Sequence, residues 1–218
     1  MKSVKIFLLA LALAILWDIP AKADLRGDMM VLTGNFDFSG TQNYYDNFGF
    51  FTSGYNTDTG YGLGVELYHS FWFNTTSGIG VRYEFQRAFS GTDWKYSFVP
   101  IYFTAMSSNF FYLQKDFVPF LKIEVGYDVL FMGNDAFRAT SLGPATLNGG
   151  FYLGFGGGVK LMDWLFIELM YNSYSGTFTA SDATSFIDQK VIDSRITLNI
   201  GVAFQLYDPP PESPDNRY

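Results

Sequence analysis

Cysteine is absent from the 218-residue chain, histidine occurs once, and charged residues make up only 16% of it. Without cysteine the chain has no disulfide framework, no thiolate metal site and no cysteine nucleophile. A lone histidine does not supply a multi-histidine metal site, so we expect no metal and no cofactor. The net charge of −7 argues against a nucleic-acid partner, which would require a basic surface.

Long hydrophobic runs are also missing after the first two dozen residues, which excludes a transmembrane helix there. The N-terminal segment itself has the three parts of a secretory signal peptide. Lys2 and Lys5 supply positive charge, residues 6–17 form an apolar stretch, and an A-x-A cleavage motif occupies residues 21–23. The stretch is shorter than the ~20 residues of a spanning helix. We therefore predict that residues 1–23 are cleaved.

What the chain does contain is an aromatic share of 20%, mostly Phe and Tyr, and a repeated alternation of apolar and polar residues. Tyr61, Leu63, Val65 and Leu67, for example, alternate with small or polar residues. A period of two is typical of β-strands. We count eight such segments, at residues 31–38, 61–70, 79–86, 98–105, 121–129, 151–161, 165–172 and 195–206.

Eight segments of about ten residues predict an all-β fold, an eight-stranded antiparallel up-and-down transmembrane β-barrel. The barrel would occupy residues 24–207, followed by a short proline-rich periplasmic tail at 208–218. The longest connections are expected at residues 40–59, 132–148 and 175–189. An even strand number places both termini on one side, which for this class is the periplasm. A soluble up-and-down barrel would alternate in the same way with its apolar face inward.

The polar positions of the predicted strands carry charges of both signs, which would face a lumen just wide enough for side chains. Hairpin geometry suggests that Glu66 lies near Glu84, Lys160 near Glu168, and Asp37 near Arg195. Paired charges would plug the lumen, whereas an excess of acids would allow a narrow cation gate. The predicted lumen network comprises Asp37, Glu66, Arg82, Glu84, Lys122, Glu124, Asp128, Lys160, Glu168, Asp193 and Arg195.

The last strand resembles the assembly signal of bacterial outer-membrane proteins, through Asn199, Gly201, Phe204 and Leu206. It departs from that signal because Tyr207 does not end the chain. Residues 118–127 likewise resemble a strand of OmpA-like or opacity-type barrels. The resemblance implies an outer-membrane location, with membrane lipid, lipopolysaccharide and the barrel-assembly machinery as partners, and a structural or surface-interaction role.

Three short motifs do not support other chemistry. His69 and Ser70 are adjacent, so they point to opposite faces of a strand and cannot act as a pair. The glycine-rich residues 154–160 lack the spacing of a phosphate-binding loop. Residues 26–28 spell Arg-Gly-Asp but directly follow the predicted cleavage site. We therefore predict no catalytic residue, and place His69 at the membrane interface.

Residues 42–58 are rich in aromatic residues, which can form a binding face on an extracellular loop for a surface ligand or host molecule. Alternatively, the ends of this loop extend the first two strands and their aromatics belong to the membrane interface. The candidate residues are Tyr44, Tyr45, Phe48, Phe50, Phe51 and Tyr55. The predicted function is thus a non-enzymatic structural or surface-interaction barrel. The alternatives are a small porin-like channel for ions or apolar solutes and, less favoured, a lipid-modifying enzyme.

Overall fold

The computed structural model describes residues 28–46, 48–72, 75–88, 90, 95–108, 117–132, 145–162, 164–181 and 186–207. The predicted signal peptide, the proline-rich tail and the Arg26-Gly27 part of the tripeptide lie outside these residues. Within them, no helix is long and apolar enough to cross a membrane.

The described residues form ten antiparallel strands. The strands are β1 (Asp28–Asp37), β2 (Gly40–Tyr45), β3 (Phe51–Thr57), β4 (Gly60–Trp72), β5 (Thr75–Ala88), β6 (Lys95–Ser107), β7 (Phe117–Met132), β8 (Ala145–Leu161), β9 (Leu165–Ser181) and β10 (Phe186–Tyr207).

Pairing between β1 and β10 closes the sheet into a barrel. β2 follows β1 along β10, so these two strands together form one stave of the barrel. β3 pairs with β2 in the same register in which β4 pairs with β1, so β3 and β4 form the next stave. The ten strands therefore make eight barrel staves, which confirms the predicted fold. The loop predicted at residues 40–59 was wrong in part, because most of it is the β2–β3 hairpin.

The two ends of the barrel differ in length. We call the end where β1 begins and β10 finishes the terminal end, and the opposite end the loop end. At the loop end β8 begins at Ala145, β9 runs to Ser181 and β10 begins at Phe186. Residues 145–148 of the loop predicted at 132–148, and residues 175–181 and 186–189 of the loop predicted at 175–189, are therefore strand, whereas residues 133–144 and 182–185 lie outside the described residues. On β9, serine and threonine at the outward positions 173, 175 and 177 hide the alternation from hydropathy, although the backbone pairing continues.

The outer wall of the barrel is apolar, and the interior is polar except for an apolar cluster near the end where β1 begins. Leu63, Leu67 and Ile200 are exposed on the outside, whereas Glu66 and Asn199 are buried within. On β10 the apolar outward positions run from Ile196 to Leu206. Ten residue steps of ~3.4 Å, tilted by about 40°, give an apolar band of about 26 Å, close to the ~25 Å of outer-membrane barrels. This arrangement excludes the soluble barrel with an apolar core.

Exposed aromatic side chains collect on the outer wall toward the loop end. Beyond them on β9 the outward positions become Ser173, Ser175 and Thr177. Aromatic girdles of this kind mark the edge of the hydrocarbon layer in transmembrane barrels. The ring consists of Phe38, Tyr61, Phe85, Tyr127, Phe151 and Tyr171.

Candidate functional site

Apolar side chains fill the lumen near the terminal end. Phe120 and Phe166 lie with their ring centroids 5.6 Å apart, and Met106 packs in the same cluster. All of its members are buried, so packed side chains fill this part of the lumen, and the buried Lys160, which pairs with Val118 and Phe166, lies beside them. We call this cluster the apolar septum; it comprises Met29, Val31, Tyr68, Met106, Val118, Phe120, Phe166 and Ala203.

A group of buried charges lies above the septum, in the middle of the barrel; Glu66, Arg82, Lys122, Glu124 and Glu168 form this central cluster. Lys122 Nζ is its hub, because it donates to both carboxylate oxygens of Glu66 at 2.8 Å and to Glu168 at 3.1 and 3.2 Å. Lys122 Nζ also lies 3.1 Å from Glu124 Oε1. One ammonium group thus compensates carboxylates from three strands.

Arg82 and a set of tyrosines complete the central cluster. Arg82 Nη2 lies 3.3 Å from Glu124 Oε1, and the guanidinium donates to the hydroxyls of Tyr102 and Tyr152 at 3.3 and 3.2 Å. The Tyr102 hydroxyl in turn donates to Glu66 Oε1 at 2.8 Å. Such shared donors offset the desolvation of buried charges, which is otherwise several kcal/mol per ion. The central cluster is therefore a connected plug.

A glycine makes room for this plug. A Cβ atom at Gly80 would lie 2.5 Å from the Tyr102 ring, so a side chain there would displace the tyrosine. Gly80 pairs with Glu66 across the β4–β5 hairpin, while Glu84 pairs with Gly62. The predicted proximity of Glu66 and Glu84 was therefore wrong, because glycines and not acids stand opposite each carboxylate.

A second group of charges lies nearer the loop end; Asp37, Glu84, Arg87, Asp128, Asp193 and Arg195 form this loop-end cluster. Arg195 Nη1 lies 3.3 Å from Asp37 Oδ2, the contact that the sequence predicts across the barrel seam. Arg195 Nε lies 3.1 Å from Asp193 Oδ1. Asp37 also pairs with Arg87.

Aromatic rings pack between the two clusters. Phe98 and Tyr174 stack with centroids 4.8 Å apart, and the Arg195 guanidinium lies 4.2 Å from the Tyr174 centroid. Tyr152 packs on Tyr174 at 4.9 Å. These cation–π and ring contacts stabilise a buried guanidinium. They also extend the plug from the central cluster to the loop-end cluster.

Several polar atoms of the loop-end cluster lack hydrogen-bond partners. Within the described part of the chain, neither carboxylate oxygen of Asp128 has a side-chain partner, nor do Glu84 Oε2, Arg87 Nη1 and Arg195 Nη2. The cluster holds four carboxylates against two guanidinium groups. This half of the lumen is thus polar and incompletely paired.

Arg87 is a lumen residue that the sequence reasoning missed. A register irregularity between Glu84 and Arg87 in the β5–β6 pairing turns Arg87 inward. Strict alternation would have placed it outside, and a bulge leaves no hydropathy signal. Lys160 is buried in the lumen opposite Phe166, so the register keeps it on a lumen position neighbouring Glu168, which also contacts Lys122.

The β2–β3 hairpin carries an exposed aromatic tip at the loop end. Phe48 is 87% exposed and Phe50 is 70% exposed, and Phe51 and Tyr55 are also exposed. Asp46 Oδ1 accepts hydrogen bonds from the backbone N–H of Phe48 at 2.9 Å and of Phe50 at 2.8 Å. The turn therefore holds its aromatics outward by specific hydrogen bonds.

Two of the six aromatic candidates in this segment do not belong to the exposed tip. Tyr44 is buried and packs edge-on against Tyr55 and Phe178. Its predicted surface position was wrong, because the interruption at residues 38–39 shifts the alternation and turns even-numbered residues of β2 inward. Tyr45 is half-buried against Phe51, with centroids 6.0 Å apart.

The remaining predicted residues lie near the terminal end. His69 Nδ1 lies 2.5 Å from Asp28 Oδ1 on the outer surface, whereas the side chain of Ser70 is outside the described set. Asn199 donates to Glu168 Oε2 at 3.0 Å inside the lumen. Of the other assembly-signal residues, Gly201 is buried, Phe204 is half-buried and Leu206 is exposed. In the described residues no three His, Asp or Glu side chains are grouped as a metal would require.

Among known proteins, the similarity of this chain is to solved structures and not to sequences. No family model and no curated protein matches the sequence. The crystal structure of the outer membrane protein OprG from Pseudomonas aeruginosa matches with a TM-score of 0.56 and 12% identity, covering 85% of this chain and 100% of OprG. The chain has the fold of a small outer-membrane barrel.

A second solved structure supports the same fold. The solid-state NMR structure of outer membrane protein AlkL in DMPC lipid bilayers matches with a TM-score of 0.55 and 15% identity. The match covers 88% of this chain and 97% of AlkL. The matches cover 100% of OprG and 97% of AlkL, so the whole of each solved barrel corresponds to the single barrel of this chain.

Proposed function

We propose that this protein is a non-enzymatic integral protein of the bacterial outer membrane, with a closed lumen and a surface-interaction role. The observation that carries the proposal is the filling of the lumen by two successive layers. The apolar septum fills the lumen near the terminal end with packed side chains, and the central cluster fills the middle with buried, ion-paired side chains. A filled lumen supports a scaffold for surface contacts better than a pore.

In this proposal the terminal end faces the periplasm and the loop end faces the outside. The short connections at the terminal end and the longer, polar strand extensions at the loop end follow the usual plan of bacterial barrels. This orientation raises the β2–β3 hairpin above the membrane surface. The exposed tip formed by Phe48, Phe50 and Phe51 would then be the contact element.

The hairpin suits a contact role because it is preorganised. Asp46 fixes the turn through its side chain, and its backbone N–H also bonds to the carbonyl of Phe50 at 2.9 Å. An aromatic surface held in place before binding loses little conformational entropy on contact. Large exposed aromatic side chains are otherwise unfavourable at a soluble surface, which supports a partner.

Planar-bilayer recording of the refolded barrel tests the closed lumen. We expect no reproducible conductance steps from the native protein. A variant that thins the septum and also cuts the central cluster, F120A/F166A/K122M, should conduct, which shows that the assay detects an open barrel. Steps from the native protein that change in the Glu66→Gln variant would overturn the proposal and favour the channel alternative.

Two further measurements test the location and the enzyme alternative. The mature protein should stay in the membrane fraction and shift its band on unboiled gels. Recovery in the soluble fraction without detergent would contradict the outer-membrane location. Mass spectrometry of lipid A from cells with and without the protein should show no difference, and a modified species would favour the lipid-modifying enzyme.

A further inference from the structure

The outer wall carries a groove where neighbouring strands are interrupted. A cavity of about 590 Å³ opens at the junction of β1 and β2. The gap between β3 and β4 lies at the level where β5 ends. The backbone N–H of Asp58, in this gap, donates to the carbonyl of Ala88 at the end of β5, at 3.1 Å. The described lining therefore spans five adjacent staves, from β9 through β10, β1–β2 and β3–β4 to the end of β5. Its polar lining consists of Ser39, Gly40, Thr41, Asn56, Ser90 and Ser194.

The groove lies where the apolar outer wall meets the polar extension of the barrel. Tyr171 and Ile196 form its apolar side, and both are exposed members of the outer wall below the polar extension. The opposite side consists of the hydroxyl and amide groups just described. A molecule that fills the groove therefore contacts the edge of the apolar band and a polar surface at once, which requires an amphipathic ligand.

The described polar side of the groove presents no cation; the carboxylate of Asp58 lies beside it and accepts a hydrogen bond from Ser90 Oγ at 2.5 Å. Arg195 is the one charged residue among its described lining, and its guanidinium turns into the lumen toward Asp37 and Asp193, at 3.3 and 3.1 Å. Phosphate recognition uses Arg or Lys donors, which this surface does not present. Neutral hydroxyl and amide groups beside an aromatic ring match the hydroxyl groups and flat faces of a sugar.

A glycine lets β2 lie close against β10 beside the groove. A Cβ atom at Gly40 would lie 2.5 Å from the carbonyl oxygen of Ser194 and 3.0 Å from Arg195 Cβ. Backbone therefore lies at this point of the groove, with the hydroxyl groups of Thr41 and Ser194 beside it. The volume falls within the roughly 300–1,000 Å³ of small-molecule pockets.

We propose that this groove binds the uncharged sugar headgroup of a glycolipid in the outer leaflet. The hydroxyls of Ser39, Thr41 and Ser194 and the amide of Asn56 contact the sugar. The acyl chains follow the apolar wall past Tyr171 and Ile196. The inference rests on the proposed membrane location and orientation, and does not depend on whether the lumen conducts.

Lipid competition with native mass spectrometry tests the groove. The full barrel is purified in a sugar-free amine-oxide detergent and offered equal amounts of monoglucosyl diacylglycerol and phosphatidylglycerol with the same acyl chains. We expect retention of one glucolipid with a preference of about tenfold, equivalent to about 1.4 kcal/mol. Ser194→Trp fills the groove and should abolish this preference.

A matched control separates the groove from general lipid binding. Ser77 is also an outward-facing, half-buried serine, but it lies toward the terminal end of β5. Ser77→Trp should leave the preference unchanged. Asn56→Leu, a milder change, should weaken it even if Ser194→Trp does not fold. Equal retention of both lipids, preference for phosphatidylglycerol, or equal loss in the Ser77 control would overturn the proposal. Conductance from a barrel that still selects the glucolipid would overturn only the closed-lumen function.

Discussion

The central cluster and the loop-end cluster are built from the same residue types but differ in how completely they are paired. In the central cluster Lys122 and Arg82 reach every carboxylate and tyrosine hydroxyls add further hydrogen bonds, so that among its described atoms Arg82 Nε alone lacks a partner. In the loop-end cluster Asp128 has no side-chain hydrogen bond among the described residues. The central cluster is therefore the layer that stabilises the barrel, and the loop-end cluster is the layer that tolerates water.

The physical origin of the difference is the position of the cations. Lys122 stands at the centre of the lumen with a long, flexible stem, so it meets carboxylates from several strands. Arg195 is fixed by the rings of Phe98 and Tyr174, so its guanidinium reaches only part of its acidic surroundings.

Removal of the central cation should have the largest effect. Lys122→Met leaves three buried carboxylates without their shared partner and should lower the free energy of unfolding by about 3–5 kcal/mol. Urea unfolding in lipid vesicles, followed by the gel band shift, measures this. The control Lys95→Met removes an exposed lysine at the start of β6 and should change stability by less than about 0.5 kcal/mol. Similar losses in both variants would contradict a cation-centred plug.

Crowding the central cluster should have the next largest effect. Gly80→Ala pushes a methyl group into the Tyr102 ring and should cost about 1–3 kcal/mol, as overpacking does. Gly34→Ala is the matched control, since its Cβ would meet nothing closer than 3.9 Å. The same unfolding assay compares them. If the two alanines behave alike, Gly80 does not determine the packing of the plug.

Neutralising one carboxylate in each cluster should give effects of opposite sign. Asp128→Asn, measured at a pH where the carboxyl group is ionised, removes a buried charge without a side-chain hydrogen bond and should raise the free energy of unfolding by about 1 kcal/mol. Glu124→Gln weakens the contacts to Lys122 and Arg82 and should lower it by a similar amount. Destabilisation by both variants would remove the distinction between the clusters.

Changes at the hairpin tip should have the smallest effect on stability. Phe48→Ser alters a side chain that is almost fully exposed, so the free energy of unfolding should change by less than about 0.5 kcal/mol. Asp46→Ala, which removes the hydrogen bonds to the turn, is the informative comparison. Loss of surface binding in both variants with intact barrels would support the contact role, and a large stability loss in Phe48→Ser would argue that the tip packs onto the barrel.

Alternation predicts the fold because lipid and lumen impose opposite demands on successive residues. Leu63 and Glu66 were assigned to opposite faces by parity alone, and the structure agrees. Parity fails wherever a strand is irregular: the shift before Arg87 and the interruption before Tyr44 each reverse the face of the following residues. The partners of Glu66 also depend on register, which glycine–tyrosine packing sets and hydropathy does not encode.

The succession of layers along the lumen affects how substitutions can open the barrel. In the proposed closed barrel, the septum and the central cluster fill the lumen by different means, one with packed apolar side chains and the other with paired charges. A substitution that damages one layer leaves the other in place. A pore would therefore arise only when both layers are altered together. A single mutation in either layer would not make the membrane permeable.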